Sequence, residues 1–180
     1  MVKKWYLFVF VSLGLCLILP NDSYSQYNRL KNANSLETQV GFSPVGLYAT
    51  QFYVHQLGKK IHGKAGIGFV NGKVEDLQYY SPFIEVNIGY NFYEFSRSVY
   101  FHVFGGFAVH ADIHQGMLVE GLDKDVYFNY GALVGAEVLI SMTHKISMVI
   151  QGNQRILVNS EFGRFRVMVG AGIRYYLRSF

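Results

Sequence analysis

Apolar and polar residues alternate one by one through most of the chain after residue 35, and the alternation is clearest over Phe165–Leu177. Every second residue of this segment is apolar, whereas the residues between them include Arg166, Arg174 and two glycines. A period of two residues predicts a β-strand. At about 3.3 Å per residue the strand would be about 43 Å long, which suits a tilted strand that crosses a membrane.

Seven further segments alternate in the same way, which makes eight predicted strands, an even number. The seven are residues 36–42, 47–56, 61–70, 84–92, 99–110, 126–140 and 146–155. The connections after the second, fourth and sixth strands are short, and longer loops are predicted at residues 71–81, 112–125 and 156–164. Short turns at one end and longer loops at the other are typical of outer-membrane barrels, although the first loop, residues 43–46, is short. The pattern predicts an all-β fold, an eight-stranded antiparallel transmembrane β-barrel.

A membrane barrel turns the apolar side of each strand to lipid and the polar side to its lumen. In the fourth strand Ile84, Val86 and Ile88 alternate with Glu85 and Asn87, which predicts clearly which side faces lipid. In the second strand the apolar side carries the following residues, with Thr50 as an exception: Tyr48, Phe52 and Val54. Glycines on the inner side of most strands and a lumen only wide enough for side chains predict a plugged barrel and not a pore.

The first 25 residues have the pattern of a cleaved secretory signal peptide. Two lysines precede an apolar run over residues 5–20, and the small residues Ser23 and Ser25 suit cleavage before Gln26. Acylation of Cys16, as in a lipoprotein, is the weaker alternative because the bulky Leu15 stands where a small residue is expected. We therefore expect export through a cleaved signal peptide, residues 1–25, to the bacterial outer membrane.

The rest of the chain divides into two parts. Residues 26–35 are polar and aperiodic and predict a short periplasmic tail, and residues 36–180 form the predicted barrel. Barrels inserted by the outer-membrane assembly machinery commonly end in phenylalanine, as this chain does, but Phe180 is in phase with the inward Arg174 and Tyr176. A β-bulge near Arg178 would restore the phase.

Composition excludes several classes of function. Removal of residues 1–25 leaves 14 basic and 11 acidic residues, and the basic ones are scattered, which gives nucleic-acid binding no electrostatic footprint. Because the single cysteine lies in the leader, no disulfide or thiol chemistry is expected. The chain has 14 tyrosines and 15 phenylalanines, which suit the aromatic girdles of a membrane barrel.

Six charged residues fall on the inner side of the predicted strands. We expect them to form a structural ionic network in the lumen, since buried charges need partners of opposite sign. The alternative is a proton or ion pathway, which would need a continuous wet lumen that eight strands rarely leave. The six residues are Glu37, Glu85, Glu137, Arg155, Arg166 and Arg174.

Evidence for catalytic or metal-binding residues elsewhere in the chain is weak. His110, Asp112 and His114 alternate and could share a face of an extended segment, but we expect them to be exposed loop residues and not metal ligands. An acyl hydrolase would need a serine near His110, for which Ser160 is the candidate, and no nucleophile elbow or phosphate-binding loop occurs. We therefore predict no catalytic, metal-binding or cofactor-binding residues and no cofactor.

The second half of the chain resembles the TraO-type proteins that bacterial conjugative transposons encode. The resemblance covers residues 41–177 and is best from Val99 onward. It is carried by VYFHVFGGFAVH from Val99, YFNYGALVGAEVLI from Tyr127 with Gly131, Gly135 and Glu137, the strand through Arg155, and FGRFRVMVGAGIRYYL from Phe162.

The resemblance implies a non-enzymatic outer-membrane component of a conjugative DNA-transfer apparatus. Its expected partners are outer-membrane lipid and other proteins of that apparatus, with no direct contact to nucleic acid and no small-molecule substrate. Two alternatives remain open: a generic small barrel for adhesion or envelope integrity, and a lipid-modifying barrel enzyme.

Overall fold

The structure, a computed structural model, describes residues 33–74, 77–96, 98–115, 124–158 and 164–177. The described residues form eight strands in one closed antiparallel barrel, in chain order, which confirms the predicted fold class. The predicted leader, most of the predicted tail, Ser160, Arg178 and Phe180 lie outside the described residues. The strands are β1 (Asn34–Ser43), β2 (Gly46–Gln56), β3 (Ile61–Val74), β4 (Leu77–Glu94), β5 (Val99–Gln115), β6 (Lys124–Ser141), β7 (Ile146–Val158) and β8 (Phe165–Leu177).

The first and last strands close the barrel. β1 pairs with β8 from Asn34 opposite Leu177 to Phe42 opposite Val169. We call the end with the Asn34–Leu177 pair the terminal end and the opposite end the loop end. No helix among the described residues has the length and apolar character that a membrane span requires.

The outer face of the barrel is apolar and open. On β4 the outward Ile84, Val86 and Ile88 are 60%, 56% and 61% exposed, whereas Glu85 and Asn87 between them are buried in the lumen. The same alternation holds along β8, where Val167 and Val169 point outward and Arg166 and Met168 point inward, as the sequence predicts. A contiguous apolar surface of this size needs a non-aqueous environment, which fits the lipid contact of an outer-membrane barrel.

The orientation expected for β2 is wrong. Tyr48, Phe52 and Val54 are buried in the lumen together with Thr50, and the other side of the strand, with Leu47 and Tyr53, is exposed. Apolar character alone misleads here because the lumen of this barrel also takes aromatic side chains.

Glycines on facing strands explain why aromatic rings fit inside. A Cβ atom at Gly66 would collide with the ring of Phe52, and one at Gly170 would collide with the hydroxyl group of Tyr48. The ring of Phe83 occupies the corresponding space beside Gly68. Glycines on one strand thus leave space for large side chains from another strand, and the lumen is filled without becoming wider.

Three predicted loops are shorter than the pattern indicates. The segment 71–81 is almost all strand, because β3 continues to Val74 and β4 begins at Leu77. β5 likewise includes Asp112 and β7 continues to Val158, whereas β1 begins at Asn34, within the predicted tail. The outward Asn71, Lys73 and Gln78 are polar and exposed, so the apolar alternation ends before the strands do.

Candidate functional site: the polar network of the lumen

The lumen holds equal numbers of acidic and basic side chains. Among the described residues, four carboxylates and four cationic groups are buried, each no more than 3% exposed. Their formal charges cancel when the histidines are neutral, as burial of many charges requires. They are Glu37, Glu85, Asp112 and Glu137, with Lys64, Arg155, Arg166 and Arg174.

Four of these residues form a closed ring of ion pairs, which we call the four-charge cluster: Glu37, Lys64, Glu137 and Arg174. The guanidinium group of Arg174 contacts Glu37 Oε2 at 2.5 Å and Glu137 Oε1 at 2.8 Å. Lys64 Nζ contacts Glu37 Oε1 at 2.8 Å and also pairs with Glu137 Oε2. Each carboxylate is therefore shared by two cations, and each cation by two carboxylates.

Neutral side chains complete the hydrogen bonding of the four-charge cluster. Gln39 Nε2 donates to Glu37 Oε1 at 2.6 Å and to Gln151 Oε1 at 3.0 Å. His102 Nδ1 lies 2.7 Å from Glu137 Oε1. Since an ionised carboxylate only accepts, this nitrogen carries the proton in a neutral His102.

A second ion pair joins Glu85 and Arg155. Arg155 Nη2 donates to Glu85 Oε2, and the guanidinium carbon lies 4.2 Å from the centre of the Phe83 ring. Asn87 Nδ2 donates to the other oxygen of Glu85 at 3.2 Å. The pair is thus held by an aromatic face on one side and an amide on the other.

A third group surrounds Asp112. Its Oδ2 accepts from Arg166 Nη2 at 2.5 Å and from Asn129 Nδ2 at 2.6 Å, and its Oδ1 accepts from Tyr79 and Ser81, each at 2.6 Å. Arg166 Nη1 in turn donates to the Tyr79 hydroxyl group at 2.6 Å. We call these five residues the Asp112 cluster.

His110 connects the second pair to the Asp112 cluster. Arg155 Nη1 lies 2.8 Å from His110 Nε2, and Ser81 Oγ lies 3.1 Å from His110 Nδ1. Arginine can only donate, so Nε2 is the acceptor and Nδ1 of a neutral ring carries the proton and donates to Ser81. Ser81 then donates to Asp112, and the hydrogen bonds run in one direction from Arg155 to Asp112.

This direction excludes one catalytic arrangement. Ser81, His110 and Asp112 are the residue types of a hydrolytic triad and are in contact. In a triad the histidine accepts the serine proton and its other nitrogen donates to the carboxylate. Here the histidine donates to the serine and its other nitrogen faces Arg155, so these residues do not form an activated nucleophile.

The structure buries all six residues of the predicted network and brings each into contact with a charge of opposite sign. The network has two further charged members, Lys64 and Asp112. Both could have been found from phase, because Lys64 alternates with His62 and Gly66, and Asp112 follows His110 by two residues.

The expectation that His110 and Asp112 are exposed loop residues is wrong. Both are buried, at 1% and 0% exposure, because β5 continues past them. Their polar atoms hold Arg155, Ser81 and Arg166, which does not fit the metal site considered for the segment. His114 lies in β5 with its side chain outside the described residues.

Comparison with protein families identifies the family of this chain. The family described as conjugative transposon protein TraO matches residues 84–177, which is more than half of the chain. The chain belongs to the TraO family. The matched region runs from β4 to β8 and contains six of the eight buried charges, whereas Glu37 and Lys64 precede it.

Solved structures show the fold of this TraO family member independently. The N-terminal barrel domain of OprF from Pseudomonas aeruginosa is similar, with a TM-score of 0.66 and 12% identity over 82% of this chain and 98% of that one. A major outer-membrane protein of Thermus thermophilus reaches 0.65 with 10% identity over 82% and 100% of the two chains. Neisserial surface protein A reaches 0.60 with 10% identity over 79% and 95%. No curated protein matches significantly.

Proposed function

We propose that the protein is a non-enzymatic outer-membrane component of the DNA-transfer apparatus of a conjugative transposon. The observation that carries the proposal is the TraO match over residues 84–177. The outer-membrane barrel fold supports it, because a transfer apparatus that connects two cells has to cross or contact this membrane.

The filled lumen favours a role as an anchor or scaffold over one as a conduit. Its interior is filled along its length by side chains such as Phe52, Arg155, Leu139 and Met168, each less than 2% exposed. The buried charges of the described residues balance one another, so this part of the lumen has no unpaired carboxylate or cation to guide an ion. Partners would then bind at the two ends of the barrel.

Shape points to one side of the loop end as a contact surface. β2 starts at Gly46, which pairs with Gly72, so Lys73 and Val74 of β3 extend beyond it. β5 and β6 remain paired as far as Gln115 and Lys124. The strands from β3 to β6 therefore rise above the turn at residues 44–45 as a wall, and residues 116–123 connect two of these strands.

The proposed contacts are this connection and the polar tail. We place the loop end outside the cell, since outer-membrane barrels have short turns on the periplasmic side. The terminal-end turns at residues 57–60, 95–98 and 142–145 would then face the periplasm, together with residues 26–32. A periplasmic partner could reach the tail without entering the barrel.

Deletion of the gene from a donor strain tests the proposal. We expect conjugation frequency to fall strongly, to return on complementation, and growth and envelope permeability to remain nearly normal. Normal transfer from the deletion strain would reject the proposal. Normal transfer combined with reduced surface adhesion would favour the generic-barrel alternative, and a changed lipid profile would favour a lipid-modifying enzyme.

Two trimmed variants test where the partners bind. One replaces residues 116–123 by a short Gly-Ser turn and the other removes residues 26–32, and both changes leave the described strands intact in sequence. The matched control changes the exposed His144 in a terminal-end turn to Gln. Reduced transfer by either trimmed variant with normal barrel assembly supports the placement, whereas full transfer by both rejects it.

A further inference from the structure

Two buried histidines lie together at the terminal end of the lumen. The ring centres of His62 on β3 and His102 on β5 are 4.9 Å apart, and the side chains are 1% and 7% exposed. Together with Glu137 they offer three potential ligand atoms that all lie within 4.8 Å of one another. Imidazole is a preferred ligand of zinc and of neighbouring transition metals.

His62 has unused bonding capacity. Its Nε2 atom is buried and has no hydrogen-bond partner among the described residues, and 3.8 Å separates it from Glu137 Oε1. Such an unsatisfied buried nitrogen is costly unless something else binds it. The ring has a defined place, since His62 pairs with Gly89 of β4 and a Cβ atom at that glycine would collide with the ring.

His102 is oriented in the way that metal-binding histidines are oriented. Its Nδ1 donates to Glu137 Oε1 at 2.7 Å, which leaves the lone pair of a neutral ring on Nε2. Histidines that bind metals commonly donate the other ring N–H group to a carboxylate in this manner. Glu137 can therefore act by holding the ring and need not give up Lys64 and Arg174.

A small cavity adjoins the two rings. Its volume is about 10 Å³, room for about one water molecule, and it reaches from His62 and His102 toward the exposed Lys59 at the terminal end. Asn91 also lines it, and the buried Oδ1 atom of Asn91 has no hydrogen-bond partner within the described part of the chain. An ion could thus approach from the terminal end and find an oxygen acceptor beside the two imidazoles.

We propose that His62 and His102 bind a divalent transition-metal ion, with Zn²⁺ as the best-suited probe, at the terminal end of the lumen. Tetrahedral ligands of zinc lie about 3.3 Å apart, whereas the candidate ligand atoms lie within 4.8 Å of one another, so binding requires them to move together by up to about 1.5 Å. Lys64 and Arg174 oppose binding, because they are cations held on the neighbouring carboxylate. These charges therefore limit the affinity for Zn²⁺. Removal of one of them should strengthen binding, which is not expected at a surface site.

The test uses the full mature chain, purified without a histidine tag and refolded in detergent. Zn²⁺ binding is measured by calorimetry, and Co²⁺ is added in parallel because its visible absorption reports the coordination geometry. We expect His62→Gln and His102→Gln each to weaken Zn²⁺ binding at least tenfold and to abolish the Co²⁺ spectrum. His144→Gln removes an exposed histidine and should change neither.

The Lys64→Gln variant is the more discriminating test. Loss of this cation should tighten Zn²⁺ binding severalfold, because the ammonium group no longer repels the ion. The difference in gel migration between heated and unheated samples shows which variants are folded. The test can be read as long as at least one of the two histidine variants folds. Three results would each overturn the proposed site. They are an unchanged Zn²⁺ affinity in a folded histidine variant, an unchanged Zn²⁺ affinity in a folded Lys64→Gln protein, and no binding by the wild-type protein at millimolar Zn²⁺. Conjugation is not the readout, so the result is independent of the proposed function.

Discussion

The four-charge cluster and the Asp112 cluster solve the same problem in different ways. Both neutralise buried carboxylates in the lumen, but Glu137 is held by two cations, Lys64 and Arg174. Asp112 is held by one cation, Arg166, and by the neutral donors of Tyr79, Ser81 and Asn129. Where cations are shared, loss of one carboxylate breaks two ion pairs at once, whereas neutral donors limit the loss to one pair.

The largest expected effect follows from loss of a shared carboxylate. Glu137→Leu breaks the pairs with both Lys64 and Arg174 and leaves one buried positive charge in excess. We expect the free energy of unfolding to fall by about 3 to 5 kcal/mol, as when one partner of a buried pair is removed. Urea unfolding in lipid vesicles, followed by circular dichroism, measures the change.

The matched control is Glu94→Gln, at an exposed residue of the same type near the terminal end of β4. It should change stability by no more than about 0.5 kcal/mol. A Glu137→Leu protein that unfolds at the wild-type urea concentration would mean that Glu137 is not paired as described.

A smaller loss is expected at the Asp112 cluster. Asp112→Asn keeps the shape and the acceptor oxygen for Tyr79 and Ser81, but it removes the charge and the acceptor that face Arg166 and Asn129. The free energy of unfolding should fall by about 2 kcal/mol, the scale of a hydrogen bond to a charged group. A double-mutant cycle with Arg166→Met measures the coupling between the two residues. Coupling as large as that between Glu137 and Arg174 would remove the distinction between the clusters.

The smallest effect concerns the packing beside the four-charge cluster. Lys64 Nζ lies 5.6 Å from the centre of the Phe52 ring, and this ring fills the space opposite Gly66. Gly66→Ala should therefore cost about 1 to 2 kcal/mol through overpacking against this ring and against the backbone oxygen of Gln51, which lies 2.6 Å from the Cβ position. Gly58→Ala is the control, since a Cβ atom there meets nothing within 4 Å. Equal stability of both variants would show that the ring yields without disturbing the cluster.

The sequence predicts the barrel best where one side of a strand is strictly apolar. β4 and β8 are of this kind, and the predicted sides agree with the structure. The predicted orientation of β2 is wrong because an aromatic residue suits both lipid and a lumen lined with glycine. The two-residue period of the sequence does not distinguish these two environments. Tyr48 and Phe52 reach the inside only because Gly170 and Gly66 on other strands leave room for them.

The network is predictable in membership but not in pairing. Alternation along single strands identifies inward charges, including Glu37 and Arg174, which contact each other. It cannot show that Lys64 joins two carboxylates, because this depends on the stagger between strands that are distant in the chain. Asp112 is missed because the predicted strand ends at His110, although the outward side of β5 stays apolar through Ala111 and Ile113.

The central claim is that paired charges and interlocking rings close the lumen, which leaves the ends of the barrel as the working surfaces. Single-channel recording of the refolded protein in a planar lipid bilayer tests this most directly. We predict no stepwise conductance from the wild-type protein in concentrated potassium chloride, because the described lumen is filled by buried side chains such as Arg155, Tyr79 and Phe52. Regular, reproducible conductance steps from the wild-type protein would contradict the claim.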